Sequence, residues 1–368
     1  MSPSHFLLSL VIGLASLISV PAQTTSDAPV KIGAYYFDGW TGKTFHITER
    51  LKTEFANREP VWGWKDDTVE IMEQQIDLAA KGGLSFWSFC WYWSEAGGHD
   101  TDPHNAALGL YLQAKNRSQM QFCLLVANHK GYRIGPKDWP ELTKRWMTLF
   151  KEPTHLTVDG KPLIIIFSPK ELLTAFGTPE AVKAALDQLR ADAKAAGLPG
   201  VSVAACALPG PLYGWDPIAP YIACGYDLFT GYNYSGAGKK VANSIEQPFA
   251  NMIPGHEEIW KSFAERVALP YVPLVTTGWD KRPWEALDLP AAKQSRVYPD
   301  RSPALVEEMI RKAIQWVRAN PTHATAEKLI LLYAWNENGE GGYLTPTKAE
   351  GSAYLDTVLK AQQPVTAP

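Results

Sequence analysis

The 368-residue sequence predicts a single (β/α)8 TIM barrel, and three observations carry that expectation. Eight short β-rich runs alternate with longer stretches of helical periodicity, the pattern of repeated βα units around a parallel sheet. Most of these runs are nearly continuously apolar, as strands covered on both faces must be. The composition, 46% hydrophobic and 20% charged, is that of a globular chain and is even enough for one large domain.

The chain opens with an apolar run from Phe6 to Val20, followed by Val20-Pro21-Ala22, which puts small residues where a signal peptidase reads them. Residues 1–22 are therefore expected to be a cleaved leader, giving a secreted or periplasmic protein with no membrane insertion afterwards. Residues 23–30 form a short connecting segment. The expected strands are Lys31 to Phe37, Leu84 to Trp91, Gln121 to Ala127, Leu163 to Ser168, Val201 to Cys206, Tyr226 to Thr230, Tyr271 to Thr276 and Leu329 to Trp335. Between them, Asp67 to Lys81 carries an apolar stripe (Val69, Met72, Ile76, Leu78, Ala79), and Pro179 to Ala196 is rich in good helix formers. Asp102-Pro103 reads as a helix start, an acceptor side chain at the cap and a proline behind it. The segment between Trp215 and Tyr221 is the weakest helix, interrupted by Pro217 and Pro220. The barrel is expected to span 31–361, with a frayed tail over 362–368.

The formal net charge of −3 and the absence of any Lys/Arg run exclude a nucleic-acid-binding surface. Of four cysteines, Cys90, Cys123 and Cys206 fall in strand candidates and none forms a CxxC pair, so zinc is not indicated and buried free thiols are expected. Export would permit a Cys206–Cys224 disulfide. The run His99 to His104 gathers possible metal ligands without metal-site spacing, and Asp102 already serves as a cap. Neither a metal nor a cofactor is expected, and the chain is expected to act as a monomer.

In this fold, chemistry gathers where strands end and βα loops begin. The first strand runs into Tyr36, Asp38 and Trp40, and the second into Trp91 and Trp93, whose rings suit the C–H faces of a sugar. Period-two alternation requires about half of these rings to pack elsewhere. Asn128 and His129 follow the third strand, Tyr232 and Asn233 the sixth, Trp279 and Asp280 the seventh. After the eighth come Trp335, Asn336, Glu337, Asn338, Gly339, Glu340 and, beyond two glycines, Tyr343. Two carboxylates three residues apart in a glycine-rich turn are the equipment for glycosidic cleavage, one to protonate the leaving oxygen and one to activate a nucleophile. Glu337 and Glu340 are the expected catalytic residues; the other named residues are expected to bind a glycan.

These stretches resemble the glycoside hydrolase family 99 and WbsX-like group of TIM-barrel proteins. The likeness rests on Ala34 to Trp40, the helix Met72 to Ala79, the aromatic run Phe86 to Trp93, the turn Gly278-Trp279-Asp280, and Asn336-Glu337-Asn338-Gly339-Glu340-Gly341 against that family's Asn-Glu-Trp-x-Glu-Gly signature. Asn338 replaces the signature's Trp, which leaves the family's α-mannoside substrates open. The form Trp335-Asn336-Glu337 with Gly339-Glu340 is also similar to glycoside hydrolase family 71, α-1,3-glucanases. The first resemblance implies retaining hydrolysis through the substrate's own 2-hydroxyl, with Glu337 as its base and Glu340 as acid/base. The second implies that Glu337 activates water, with inversion. Two other readings remain: a non-catalytic carbohydrate-binding barrel, and a WbsX-like glycosyltransferase-related protein, against which stand the leader and the lack of a Gly-rich phosphate loop or of an Asp-x-Asp pair placed to hold a metal-diphosphate.

Overall fold

The computed structural model describes residues 29–208, 218–290 and 293–364, so the expected leader lies outside the described residues. Eight parallel strands form the barrel: β1 (Lys31–Tyr36), β2 (Phe86–Trp91), β3 (Gln121–Val126), β4 (Lys161–Ile166), β5 (Ser202–Cys206), β6 (Leu228–Thr230), β7 (Leu274–Thr276) and β8 (Leu329–Tyr333). They pair in the order β6-β5-β4-β3-β2-β1-β8-β7. A single parallel bridge, Phe229 to Tyr271, joins the ends, with Val272 N donating to Phe229 O at 2.9 Å. The expected barrel is the observed one.

Pairing register divides every strand into two sets of side chains. Gly33 lies beside Phe86 and Leu331, Tyr35 beside Ser88, and Cys90 beside Leu125; this set points into the barrel. Gly33 is needed here, because a Cβ at this position would stand 2.3 Å from the Phe86 ring. The opposite set, Tyr36, Trp87, Phe89 and Trp91, faces the helices. Tyr36 donates to Gln75 Oε1 at 3.0 Å on the helix Val69–Lys81, and Trp91 packs edge-on against Trp146 of the helix Trp139–Phe150.

The crossover helices start where side-chain oxygens meet orphan backbone N–H groups. Thr68 accepts from Ile71 N at the head of Val69–Lys81, and Thr178 from Ala181 N at the head of Pro179–Ala195. Asp102 accepts from His104 N and caps a 3₁₀ turn that leads into the helix Ala106–Gln113. The helix expected to be weakest is Ile218–Ala223; residues 215–217 lie outside the described residues. The expected fray at Gln362 is corrected: Gln362 closes the helix Asp356–Gln362 and donates to Gly83 O at 3.1 Å. A hairpin before β4 went unforeseen, although Asp159-Gly160, both at positive φ, is the strongest two-residue turn signal. All four cysteines are free thiols, so the permitted Cys206–Cys224 disulfide is not formed. Among the described residues, no helix is long and apolar enough to cross a membrane.

Replacing Gly33 by Ala forces the Phe86 ring off its position in a packed interior. The expected cost is about 1–3 kcal/mol, read as a lower urea midpoint at unchanged slope.

Candidate active site

Beyond β8 the chain leaves the sheet through a cis peptide at Tyr333–Ala334 and folds into a small hairpin, Asn336–Glu337 against Gly342–Tyr343, around one 3₁₀ turn at Asn338–Glu340. Gly341 has φ +72° and closes that turn. Gly339 lets Trp284 lie against the turn, since a Cβ there would stand 2.0 Å from the indole. Buried amide side chains fix the hairpin to the barrel. Asn336 accepts from Phe37 N at 2.7 Å and donates to Phe37 O at 2.8 Å, and its carbonyl accepts the Trp40 indole N–H at 2.9 Å. Asn338 donates to Arg58 O at 2.9 Å and to Thr345 at 3.1 Å. Arg58 returns to the same hairpin through Asn338 O and pairs with Asp280 at 2.6 Å.

The hairpin delivers Glu337 and Glu340 to the mouth of the barrel. Glu337 is 3% exposed; Oε1 accepts the Tyr232 hydroxyl at 2.5 Å, and Oε2 is buried without a partner. Glu340 accepts a short hydrogen bond from the Tyr333 hydroxyl. The Tyr232 and Tyr333 rings meet edge to face at 5.1 Å, with Tyr35 and Phe167 packed on Tyr232. The Cys90 thiol stands 3.9 Å from the Tyr232 hydroxyl. Trp279 packs against Tyr333 at 6.2 Å, and the Asn233 Nδ2 group is buried and unpartnered.

Burial holds the Glu337 carboxyl well above the ordinary carboxylate range, and the Glu340 charge raises it further against the pull of Tyr232. Burial also raises Glu340, but the Tyr333 hydroxyl and Lys281 favour its ionised form. Two neighbouring carboxyls that both resist ionisation titrate together as a pair. Burial, then the charges of Glu337 and Glu340, keep the Tyr333 phenol neutral and therefore a donor.

Of the residues expected to bind a glycan, the structure brings Tyr232, Asn233 and Trp279 to this pair. His129 lies at the rim, half-buried among Tyr92, Tyr132 and Phe167. The rest are placed elsewhere. Tyr36 and Trp335 face the helix layer and meet at Gln75, to which Trp335 Nε1 donates at 2.7 Å. Trp91 is buried there too. Trp93 is sandwiched by Trp91 and by His99, whose ring lies 3.3 Å away. Trp40 and Asn336 are spent on the hairpin. Asn128 ties strand ends together through Ser168, accepting at 2.7 Å and donating at 2.8 Å. Asp280 is clamped between Arg58 and Arg282, and Tyr343 donates to Glu350 at 2.8 Å. Asp38 is buried; one oxygen accepts from Ala107 N and the other is unpartnered. Sequence reasoning missed Tyr333, Tyr92 and Cys90. Each sits one or two positions from a chosen tryptophan, and strand parity was the signal that would have found Tyr333 and Cys90.

A family model, glycosyltransferase WbsX, matches residues 64–358. The chain belongs to the WbsX family. Its curated relatives include the uncharacterized protein WxcX of Xanthomonas campestris pv. campestris, 23% identical over 356 residues, covering 88% of this chain and 47% of that one. The chain thus spans about half the length of the curated relatives it matches. Among solved structures, a glycoside hydrolase-like protein superposes with TM-score 0.64 at 16% identity, covering 92% of this chain and 95% of that one. The glycoside hydrolase family 99 endo-alpha-mannosidase of Bacteroides thetaiotaomicron gives 0.60 at 16%, covering 90% and 96%. At these identities the likeness establishes the fold: this WbsX-family member has a glycoside hydrolase-like barrel.

A carboxyl whose folded-state pKa is raised costs stability as pH climbs from the ordinary carboxylate value through the folded one. Glu337→Gln removes that cost. The variant is expected to be more stable than the parent at pH 8, by about 1 kcal/mol or more, and level with it near pH 4, in paired urea titrations.

Proposed function

We propose that the protein is a glycoside hydrolase acting on an α-linked polysaccharide or oligosaccharide, exported and independent of any cofactor. The observation that carries this reading is a buried carboxyl with an unpartnered oxygen beside a second carboxyl at a barrel mouth. Burying two acids is costly and contributes nothing to the fold, and glycosidic cleavage needs such a pair. The family 99 likeness supports the order of events. Glu337 takes the proton of the sugar's 2-hydroxyl, whose oxygen attacks the anomeric carbon while Glu340 protonates the leaving oxygen. Water then opens the anhydro-sugar, giving its proton to Glu340, while Glu337 returns a proton to the 2-oxygen. Tyr232 and Tyr333 hold the two carboxyls in place throughout.

One observation favours exchanged roles. Tyr333 and Lys281 favour the ionised form of Glu340, and burial with the Glu340 charge favours the neutral form of Glu337. Glu337 would then be the acid and Glu340 the base. A dinitrophenyl glycoside, whose leaving group needs no proton, separates the two. The variant lacking the acid keeps turnover on it, and the variant lacking the base does not.

The family description names a glycosyltransferase, and a sugar-nucleotide donor would need its diphosphate held. Among the described residues, the Asp-x-Asp run near the mouth is spent: Asp100 pairs with Arg145, and Asp102 with His104 at 2.8 Å. A non-catalytic carbohydrate-binding barrel would tolerate the loss of either acid.

On a panel of α-linked glycans, new reducing ends are expected from the parent protein, and Glu340→Gln is expected to lower their rate by about 10²–10⁴-fold with the fold intact by circular dichroism. Undiminished release would sink the assignment; binding without release would favour the non-catalytic barrel.

A further inference from the structure

A cavity of about 300 Å³ adjoins the catalytic hairpin on the side away from β2 and β3 loops. Trp279 and Gly341, which flank the carboxylate pair, form part of its wall with Asp280, Arg282 and Tyr343, and residues of 54–58, 298–301 and 350–354 complete it. Three guanidinium groups line it: Arg58, Arg282 and Arg301. Three carboxylates stand among them in the wall: Glu54, Asp280 and Glu350. Asp280 serves Arg58 and Arg282 together, at 2.6 and 2.8 Å. Glu54 is paired with Arg50 at 3.0 Å, and Glu350 accepts the Tyr343 hydroxyl. Arg301 donates to the carbonyls of Gly341 and Tyr343, and its guanidinium lies 4.3 and 3.7 Å from the Tyr343 and Tyr354 ring centres. Its hydrogen bonds go to neutral groups, and its Nε is buried without a partner. Three guanidiniums thus face three carboxylates in the wall, and Arg301 is the one whose hydrogen bonds reach none of them.

A guanidinium held by carbonyls and ring faces keeps its charge uncompensated, and a polar cavity beside it is a place for an anion. We propose that this cavity binds an anionic oxygen group, a carboxylate or a sulfate ester carried by a sugar, with Arg282 and Arg301 as its ligands. This makes the natural substrate an acidic glycan whose charged substituent is seated one hairpin away from Glu340. Only the identity of the molecule bearing the anion rests on the glycosidase reading; the binding itself does not.

The probes are D-glucuronate and glucose 6-sulfate, with glucose as the neutral control, titrated at constant ionic strength and followed by calorimetry and by the shift in Tm. Saturable binding of either acid, with none of glucose, is the expected result, and the acid that binds tells carboxylate from sulfate. Arg282→Gln should weaken it by about tenfold, the usual scale for one charge-assisted hydrogen bond. Glu350→Gln, which removes a carboxylate from the wall, should tighten it by about threefold. Because Arg282 also steadies Asp280, the Glu350 variant decides the matter if Arg282→Gln unfolds. Absence of saturable binding by both acids, equal binding of glucose, or an affinity indifferent to Glu350→Gln overturns the proposal. The parent protein separates the two readings: saturable anion binding by a parent that releases no reducing ends from any glycan of the panel defeats the glycosidase and leaves the anion site standing.

Discussion

A parallel strand in a closed barrel must send alternate side chains into two separate environments, the barrel interior and the layer beneath the helices. Everything at the mouth of this protein depends on that division. Tyr35 and Tyr36 are neighbours in sequence, yet Tyr35 packs on Tyr232 beside Glu337, whereas Tyr36 is sealed under the helix Val69–Lys81. Cys90 and Trp91 divide in the same way. The largest rings went outward, where Trp87, Phe89, Trp91 and Trp335 fill the space between sheet and helices. The interior kept Phe86, smaller groups and tyrosines, of which Tyr333 reaches up to Glu340.

The acids themselves leave the sheet before they turn inward. Their position is set by Asn336 and Asn338, whose amides satisfy the backbone of the first βα loop, and by Arg58, which reaches the same turn. Such amides contribute little net stability each but are expensive to leave unmade, so the hairpin has one geometry. That rigidity is what permits two carboxyls to be buried together. A looser loop would swing them into water and lose the proton affinity that burial confers.

The barrel was legible because its signals are cumulative: eight apolar runs, helix stripes between them, and caps such as Thr68 and Thr178 each point the same way. The strands are shorter than their apolar runs, most of all Leu228–Thr230 and Leu274–Thr276. The carboxylate pair was legible from its spacing among glycines. The aromatic contacts were not, because a run such as Phe86 to Trp93 has two equally apolar faces and only the pairing register says which faces inward. Asp280 and Asn336 misled for a different reason. Polar residues at strand ends serve the loops' own backbones as often as they serve a ligand, and the deciding partners, Arg58 and Phe37, lie more than two hundred positions away.

The Asp280 clamp ties together the loops after β1, β7 and β8. Trp284, donating to His46 O at 2.9 Å, adds a second brace between the first two. One half of the mouth is therefore a single stiff body that includes the acids. The opposite half, from the loops after β2 and β3, is joined by rings in edge contact, Tyr92 with His129 and Tyr132, and by Glu95, which accepts from Gly131 N and Arg133 N. Change is unevenly tolerated across such a rim. On the glycosidase reading, new side chains in the ring-lined half alter which molecule fits while the carboxyls keep their places, whereas a substitution in the clamped half displaces the carboxyls along with the fit.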